Sequence, residues 1–210
     1  MATSTIDGNI HIAGNLSVGG TVPTIDRTSL AVNTLAKYAI LPTDWFVHDA
    51  IQTPLPGTAA NDDLAVDGEA FGTAVPYITS GDLKATGSLT TRYARTTFCL
   101  PPEYVSGSAI TLQAHVGMTT TRASDAATID FELYKAGNEK VKSGSDLVTT
   151  SATDMNNLTF ADKDFTVTGT SLSAGDVIDI LVTIIVNDSG TSPAVIADVG
   201  QVYLLLSVQG

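Results

Sequence analysis

The sequence has few of the residues that form covalent cross-links, cationic surfaces or membrane spans. Cys99 is the only cysteine, which excludes an intrachain disulfide and a thiolate metal cluster. Only 10 Lys and Arg oppose 22 Asp and Glu, and a net charge of −12 disfavours binding to nucleic acid. No apolar run is long enough for a membrane helix, and residues 1–9 lack the pattern of a Sec-type signal. We therefore expect a soluble protein without a nucleic-acid or membrane partner.

The residues that are abundant favour β structure. The chain has 30 Thr, whose branched side chain suits a pleated sheet, whereas Glu, Lys and Arg together number 14. Of the 22 acidic residues 18 are Asp, which is typical of acidic turns rather than acidic helices. Because 43% of the 210 residues are hydrophobic and only 15% are charged, the chain can form a packed core. The composition predicts one all-β domain with few, short helices.

The first 22 residues differ from the rest of the chain. Apolar residues and glycines alternate with polar or small residues from Ile6 to Val22, and a six-residue motif at 8–13 recurs at 14–19. By periodicity alone, this segment fits an edge hairpin as well as a β-appendage whose apolar edge is buried by other copies. The appendage hypothesis predicts an interface between subunits, or with a shell, formed by Ile6, Ile10, Ile12, Leu16, Val18, Val22 and, outside the appendage, Trp45.

The remaining residues, 23–210, are predicted to form a β-sandwich. A short helix is expected within 23–41, and long loops within about 42–87, around a short strand at 45–51. Alternating or apolar runs separated by turn residues predict strands at 88–100, 109–118, 127–135, 158–168, 176–187 and 194–208, with weaker candidates at 71–79 and 147–150. Short strands and many turns favour a two-sheet antiparallel sandwich of the jelly-roll type.

No motif indicates catalysis or a cofactor. His11, His48 and His115 lack metal-ligand spacing, and bulky apolar neighbours predict that Cys99 is a buried, inert thiol. Nucleophile-elbow, P-loop and dinucleotide motifs are absent from the sequence. The carboxylate pairs Asp62-Asp63 and Asp130 with Glu132 would support acid–base catalysis only inside a cleft. We expect no catalytic residue, no cofactor and no metal.

Two weaker possibilities concern ligand binding. The acidic loop that contains Asn61, Asp63, Asp67 and Glu69 has oxygen ligands for calcium but lacks the EF-hand pattern, so hydrated acidic side chains are the simpler interpretation. A sugar would need an exposed aromatic platform. Three tyrosines are candidates, although strand tyrosines more often pack: Tyr77, Tyr93 and Tyr104.

Several segments resemble virion proteins of tailed bacteriophages. The stretch Gly-Asn-Leu-Ser-Val-Gly-Gly at 14–20 is similar to repeats near the ends of fibre and other virion proteins. The runs 158–167, 172–180 and 195–210, with Trp-Phe-Val-His-Asp-Ala at 45–50 and Leu-Pro-Gly at 55–57, resemble small jelly-roll capsid decoration (cement) proteins over about half of the chain.

This resemblance implies a non-enzymatic homotrimer on the capsid surface that binds the major capsid protein and bridges capsomers after assembly in the host cytoplasm. The alternative is a tail-fibre or receptor-binding protein that recognises a glycan, and a sandwich hydrolase ranks third. The decoration hypothesis predicts that deletion of residues 1–22 weakens trimer formation or attachment to the shell.

Overall fold

The computed structural model describes residues 33–50, 53–68, 70–84, 89–120, 127–137, 142–191 and 193–209. These residues form two antiparallel sheets packed as a sandwich, as the sequence predicted. The strands are β1 (Asn33–Ile40), β2 (Ala65–Asp67), β3 (Tyr77–Thr79), β4 (Leu89–Cys99), β5 (Ile110–Met118), β6 (Ala127–Ala136), β7 (Lys142–Ser143), β8 (Thr153–Asp154), β9 (Ala161–Val167), β10 (Val177–Asn187) and β11 (Ala197–Gln209). Among the described residues, the one helical element is a 3-10 turn at Pro42–Asp44, and no helix is long and apolar enough to cross a membrane.

The first sheet has six strands in the order β2-β3-β11-β5-β9, and β1 also pairs with β11. The second sheet has five strands in the order β4-β10-β6-β7, and β8 also pairs with β6. The ladder between β11 and β5 shifts register between Val199 and Val202, which is a β-bulge around Gly200. This bulge changes which side chains of β11 point outward.

The core lies between the two sheets. Inward residues alternate along β6 and β10, as expected for strands with one buried face. Phe131 of β6 meets Phe165 of β9 edge to face, with ring centroids 4.9 Å apart, so the aromatic pair links the sheets. Trp45 is 1% exposed and belongs to the same core.

The prediction of a helix within 23–41 is wrong for the part that the structure describes. Residues Asn33–Ile40 form β1, which pairs with β11 from Asn33↔Gln209 to Ile40↔Val202. The long free edge of β11 provides backbone partners for the whole segment, and Tyr38 packs against the core next to Phe98. Tertiary pairing therefore overrides a weak helical pattern.

Other strand predictions are confirmed to within about three residues at each end for β4, β5, β6, β9, β10 and β11. The expected strand at 45–51 is limited to bridges from Phe46 to Pro54 and Arg95, and residue 51 lies outside the described residues. The candidate at 71–79 forms a strand only at Tyr77–Thr79, and that at 147–150 contributes a single bridge between Val148 and Val167.

Candidate functional site

The outer side of the six-stranded sheet has an exposed apolar surface centred on the loop 70–76. Phe71 of this loop is fully exposed, and Val75 is 72% exposed. Leu41, after the end of β1, is also more than half exposed. We use the name apolar surface for Leu41, Phe71, Ala74, Val75 and Pro76. Contiguous exposed apolar residues of this kind are uncommon on monomeric proteins and mark sites of association.

A groove of about 280 Å³ lies beside this loop. Its lining contains no charged side chain and consists of Ala39, Ile40, Leu41, Pro42, Thr43, Val75, Pro76, Gly200, Gln201, Val202 and Tyr203. Val75 and Pro76 also line the hollow next to Phe71, so the projecting ring and the groove belong to one continuous surface. The apolar surface thus contains both a protruding aromatic side chain and an apolar depression.

A second cleft, of about 470 Å³, lies on the other side of the same loop. Its wall contains the aromatic rings of Tyr77, His115 and Phe160, and its lining includes the carboxyl group of Asp198. The Phe160 ring packs directly on Gly117. A Cβ atom at position 117 would lie 2.3 Å from this ring. The glycine is therefore required for this ring to close the cleft.

Asp198 is an acidic residue almost enclosed by this face, since its exposed fraction is 5%. Its Oδ2 accepts a hydrogen bond from Thr119 Oγ1 at 2.8 Å, whereas Oδ1 is buried without a hydrogen-bond partner. Burial raises the pKa of Asp198 above the usual value for Asp, Asp67 raises it further, and hydrogen bonds from Thr79 and Thr119 oppose the change. The carboxyl group therefore carries a desolvation cost that its neighbours only partly offset.

The outer side of the five-stranded sheet has a charged pair, Arg95 and Asp179. Arg95 Nε donates to Asp179 Oδ1 at 2.7 Å, and Nη2 contacts Oδ2, so the pair is bidentate. This hydrogen bonding raises the pKa of Arg95. A second pair lies at the end of this sheet, on the inward parity of β6, where Lys135 Nζ is 2.6 Å from Asp176 Oδ2. Burial alone would raise the pKa of Asp176, but Lys135 and the Ser173 N–H lower it overall.

Beside these pairs lies a polar groove of about 400 Å³ lined by His48, Arg95, Glu132, Tyr134, Lys142, Asp179 and Leu181. Tyr134 donates to Glu132 at 3.0 Å, and Lys142 Nζ lies 3.8 Å from the centre of the Tyr134 ring. Asp130, two residues from Glu132, has its pKa raised by burial and by the nearby charges of Asp146 and Glu132. The polar groove therefore combines one aromatic ring with groups that bond each other.

The residues predicted to form an interface are not brought together in the described structure. Ile6, Ile10, Ile12, Leu16, Val18 and Val22 lie outside the described residues. Trp45 packs in the core of its own chain, so its side chain is not at the surface that the interface prediction required. Its position is fixed by the bridge of neighbouring Phe46 to β4, which turns Trp45 inward. For Trp45 the interface prediction is corrected to a core role.

The described side chains of the acidic loop that was considered for calcium have separate partners. Asn61 forms the turn with a positive φ of 53°, and the Asp67 carboxylate accepts from Gly68 N and Tyr77 Oη. Asp63 instead lies close to His48, while Glu69 is outside the described residues. Sequence reasoning missed the histidine because it is distant along the chain.

The three tyrosines proposed as sugar platforms have different environments. Tyr104 is buried in the core, where its hydroxyl contacts the Ser108 carbonyl. Tyr93 stacks on His48 with ring centroids 4.7 Å apart. Tyr77 is half-buried in the cleft described above. Only Tyr77 and Tyr93 therefore keep part of a ring accessible.

The prediction of a buried thiol at Cys99 is wrong, because Cys99 is exposed. Its apolar neighbour Phe98 points inward, and strand alternation therefore turns Cys99 outward. The apolar surface and Asp198 were not predicted at all. Phe71 lies among glycines and a proline, and an aromatic residue in such a loop is the signal that could have indicated an exposed contact.

Comparisons with known proteins do not assign a family. No family model matches the chain, and no curated protein matches it. Among solved structures, it is similar to the CBM22-1 xylan-binding domain of Paenibacillus barcinonensis Xyn10C, with 9% identity and a TM-score of 0.41 over 86% of this chain and 99% of that domain.

Two further solved structures show similar levels of resemblance. A putative sugar binding protein from Bacteroides thetaiotaomicron has 9% identity and a TM-score of 0.42, over 80% of this chain and 92% of that one. The VP2 subviral particle of infectious bursal disease virus has 12% identity and a TM-score of 0.38, over 91% of this chain and 37% of that one. Likenesses of this degree carry no argument about function.

Proposed function

We propose that the chain is a non-enzymatic structural protein of a virion, an oligomeric capsid decoration protein that binds the major capsid protein and stabilises capsomers. The observation that carries the proposal is the apolar surface around Phe71, which is exposed and uncharged on a chain of net charge −12. The sequence resemblance to phage decoration proteins supports the placement on a virion, and the three-fold stoichiometry also rests on that resemblance.

The occupant that we propose for the apolar surface is a second copy of this chain. Two copies with a charge of −12 each repel, and the repulsion is lowest at the groove beside Phe71, whose lining has no charged side chain, although the Asp44 carboxylate accepts from Leu41 N at its rim. The surface is also complementary to a second copy of itself, because the exposed Phe71 side chain of one copy can fill the apolar groove of another. An aromatic side chain of this kind buries about 150–250 Å². A stable interface buries about 800 Å² per partner, so the Phe71 contact supplies a central part of it and flanking residues supply the rest.

The test is the oligomeric mass of the full chain as a function of concentration, measured by light scattering and analytical ultracentrifugation. We expect a homotrimer whose dissociation constant increases at least tenfold in the double variant Phe71→Ser, Val75→Ser. The matched control is Leu89→Ser, which removes an equally exposed apolar side chain from the edge of the other sheet. The double variant should fold normally, because neither side chain is in the core.

A monomeric wild-type chain, or an unchanged dissociation constant in the double variant, would contradict the proposal. The placement on a virion is tested separately by co-sedimentation with shells of the major capsid protein encoded near this chain. Failure of that experiment alone would leave an oligomeric β-sandwich with a different location.

The alternative of a glycan-binding fibre protein finds its support in the polar groove of the five-stranded sheet, which offers an aromatic ring and several hydrogen-bonding groups. Apart from His48, whose Nδ1 has no hydrogen-bond partner, those groups already have partners, since Arg95 binds Asp179, Tyr134 binds Glu132, and Lys142 covers one face of the Tyr134 ring. A sugar would have to replace these contacts. The decoration hypothesis is preferred because the apolar surface has no such internal partners.

A further inference from the structure

A group of metal-ligating side chains lies at the edge of β4, away from the apolar surface. His48 Nδ1 is 3.6 Å from Asp63 Oδ1, and His48 Nε2 is 3.8 Å from Asp62 Oδ2. One ligand atom from each of His48, Asp62 and Asp63 can be chosen so that all three lie within 4.8 Å of one another. No part of the proposed virion function uses this group, and the inference does not rest on that function.

The backbone holds these side chains together by two independent attachments to β4. Phe46 and Arg95 exchange backbone hydrogen bonds of 2.9 and 3.0 Å, which fixes the segment just before His48. Tyr93 N donates to Asp62 O at 2.7 Å, and Leu64 N donates to Tyr93 O at 2.9 Å, which fixes the acidic segment. The ligand residues therefore come from two parts of a long connection that β4 brings together.

Two atoms of this group are buried and have no hydrogen-bond partner: His48 Nδ1 and Asp63 Oδ1. Their side chains are 22% and 20% exposed, and the distance of 3.6 Å is too long for a hydrogen bond between them. Buried polar atoms without a partner are costly. Since both atoms point into the same space, one additional group between them would satisfy both.

A bound cation fits this spacing. Bonds of about 2.1 Å from one metal ion to both atoms would give an angle of about 118° at the metal, close to tetrahedral or trigonal geometry. The Tyr93 ring, 4.7 Å from the His48 ring, holds the imidazole in place. Asp62 Oδ2 lies 3.8 Å from His48 Nε2, so this 55% exposed side chain must turn to reach an ion that is bound at Nδ1.

The donor types select the kind of metal. An imidazole nitrogen with carboxylate oxygens suits zinc and its neighbours in the first transition row, whereas calcium prefers oxygen ligands only. The guanidinium of Arg92, which interacts with both carboxylates, reduces the negative charge and should moderate the affinity. We propose that His48, Asp62 and Asp63 bind a divalent transition metal ion of the zinc class, which cross-links the 46–64 connection beside β4.

The experiment uses the full chain after treatment with a chelator. Zn²⁺ binding is measured by titration calorimetry and by the rise in Tm, and Co²⁺ is used as a probe because its visible absorption reports on nitrogen and oxygen coordination. We expect one saturable ion per chain and at least a tenfold loss of affinity in His48→Gln and in Asp63→Asn.

The matched control is His115→Gln. His115 Nδ1 is already 2.6 Å from Asp162 Oδ1 in an exposed pair, so it presents the same residue types with no unpartnered atom. This variant should bind Zn²⁺ as the wild type does. Asp62→Asn changes an exposed side chain, so it tests the site without affecting folding, and we expect a several-fold loss.

Three results would overturn the inference. The first is Zn²⁺ affinity that His48→Gln and Asp62→Asn leave unchanged. The second is an equal loss in His115→Gln, which would indicate nonspecific binding to surface histidines. The third is a Ca²⁺ affinity as high as that for Zn²⁺, because it would show that the imidazole takes no part.

Discussion

The outer faces of the two sheets differ in the side chains that they present, which are mainly paired polar groups on one face and include exposed apolar groups on the other. On the five-stranded sheet, Arg95 binds Asp179 and Tyr134 binds Glu132, although His48 Nδ1 beside β4 is buried without a hydrogen-bond partner. On the six-stranded sheet, Phe71 and Val75 are exposed to solvent, and Asp198 is buried with one oxygen unpartnered. Both faces cover the same apolar core, so the difference is not required by the fold.

This difference indicates which face gains from contact with another molecule. To form an interface, a face with paired charges must remove its ion pairs from water. This desolvation offsets most of the favourable free energy of association. A face with exposed apolar side chains gains by removing them from water. The six-stranded sheet is therefore the better candidate for permanent association, and the five-stranded sheet for exposure to solvent.

Among the substitutions that test this difference between the faces, Gly117→Ala is expected to reduce the free energy of unfolding most. A Cβ at position 117 would lie 2.3 Å from Cδ1 of Phe160, so the ring must leave the outer face of β5. Overpacking of this kind costs about 1–3 kcal/mol of unfolding free energy. Urea unfolding measures it, and Gly57→Ala is the control because nothing lies within 4 Å of the added atom. Equal stability of the two variants would show that the Phe160 ring has another position of equal energy.

A smaller effect is expected on the charged face for Asp179→Asn. The variant leaves the half-buried Arg95 guanidinium without its bidentate partner, at a cost of about 1 kcal/mol in the free energy of unfolding. The loss should decrease in high salt, because the pair is still partly accessible to water. Asp164→Asn, which removes an exposed acid hydrogen-bonded to Gln113, serves as control. An effect no larger than that of the control would mean that the charged face gains nothing from this pairing.

Much of the sandwich could be predicted because its strands have a local signal. Alternation along β6 and the apolar runs of β10 and β11 are properties of neighbouring residues, so the sequence alone identifies these strands. The position of β1 depends on the free edge of β11, which lies more than 160 residues away in the chain. That pairing has no local signal, which is why a helix was expected there instead.

The candidate sites were less predictable for the same reason. His48 and Asp63 are brought together by separate hydrogen bonds to β4, so their spacing in the sequence is not that of a metal motif. The acidic loop lies in the region of the proposed metal site, but the sequence favoured hydrated side chains there, and the calcium site that was considered contained only oxygen ligands and no histidine. Asp198 lies in an apolar strand and lines a cleft together with residues of the loop 70–76, an environment that has no local signal in the sequence.

The smallest effect is expected for Asp198→Asn, which should increase the free energy of unfolding, whereas the two substitutions above decrease it. Burial raises the pKa of Asp198 in the folded chain, so the folded state holds its proton more tightly than the unfolded state. The free energy of unfolding of the wild type therefore decreases as the pH rises from the unfolded pKa of about 3.9 through the raised folded value. The variant lacks this loss, so it should equal the wild type at low pH and be the more stable of the two at neutral pH. Urea unfolding at a series of pH values measures the difference. A variant less stable than the wild type at neutral pH would show that Asp198 is fully satisfied, and that the two faces do not differ in the way described.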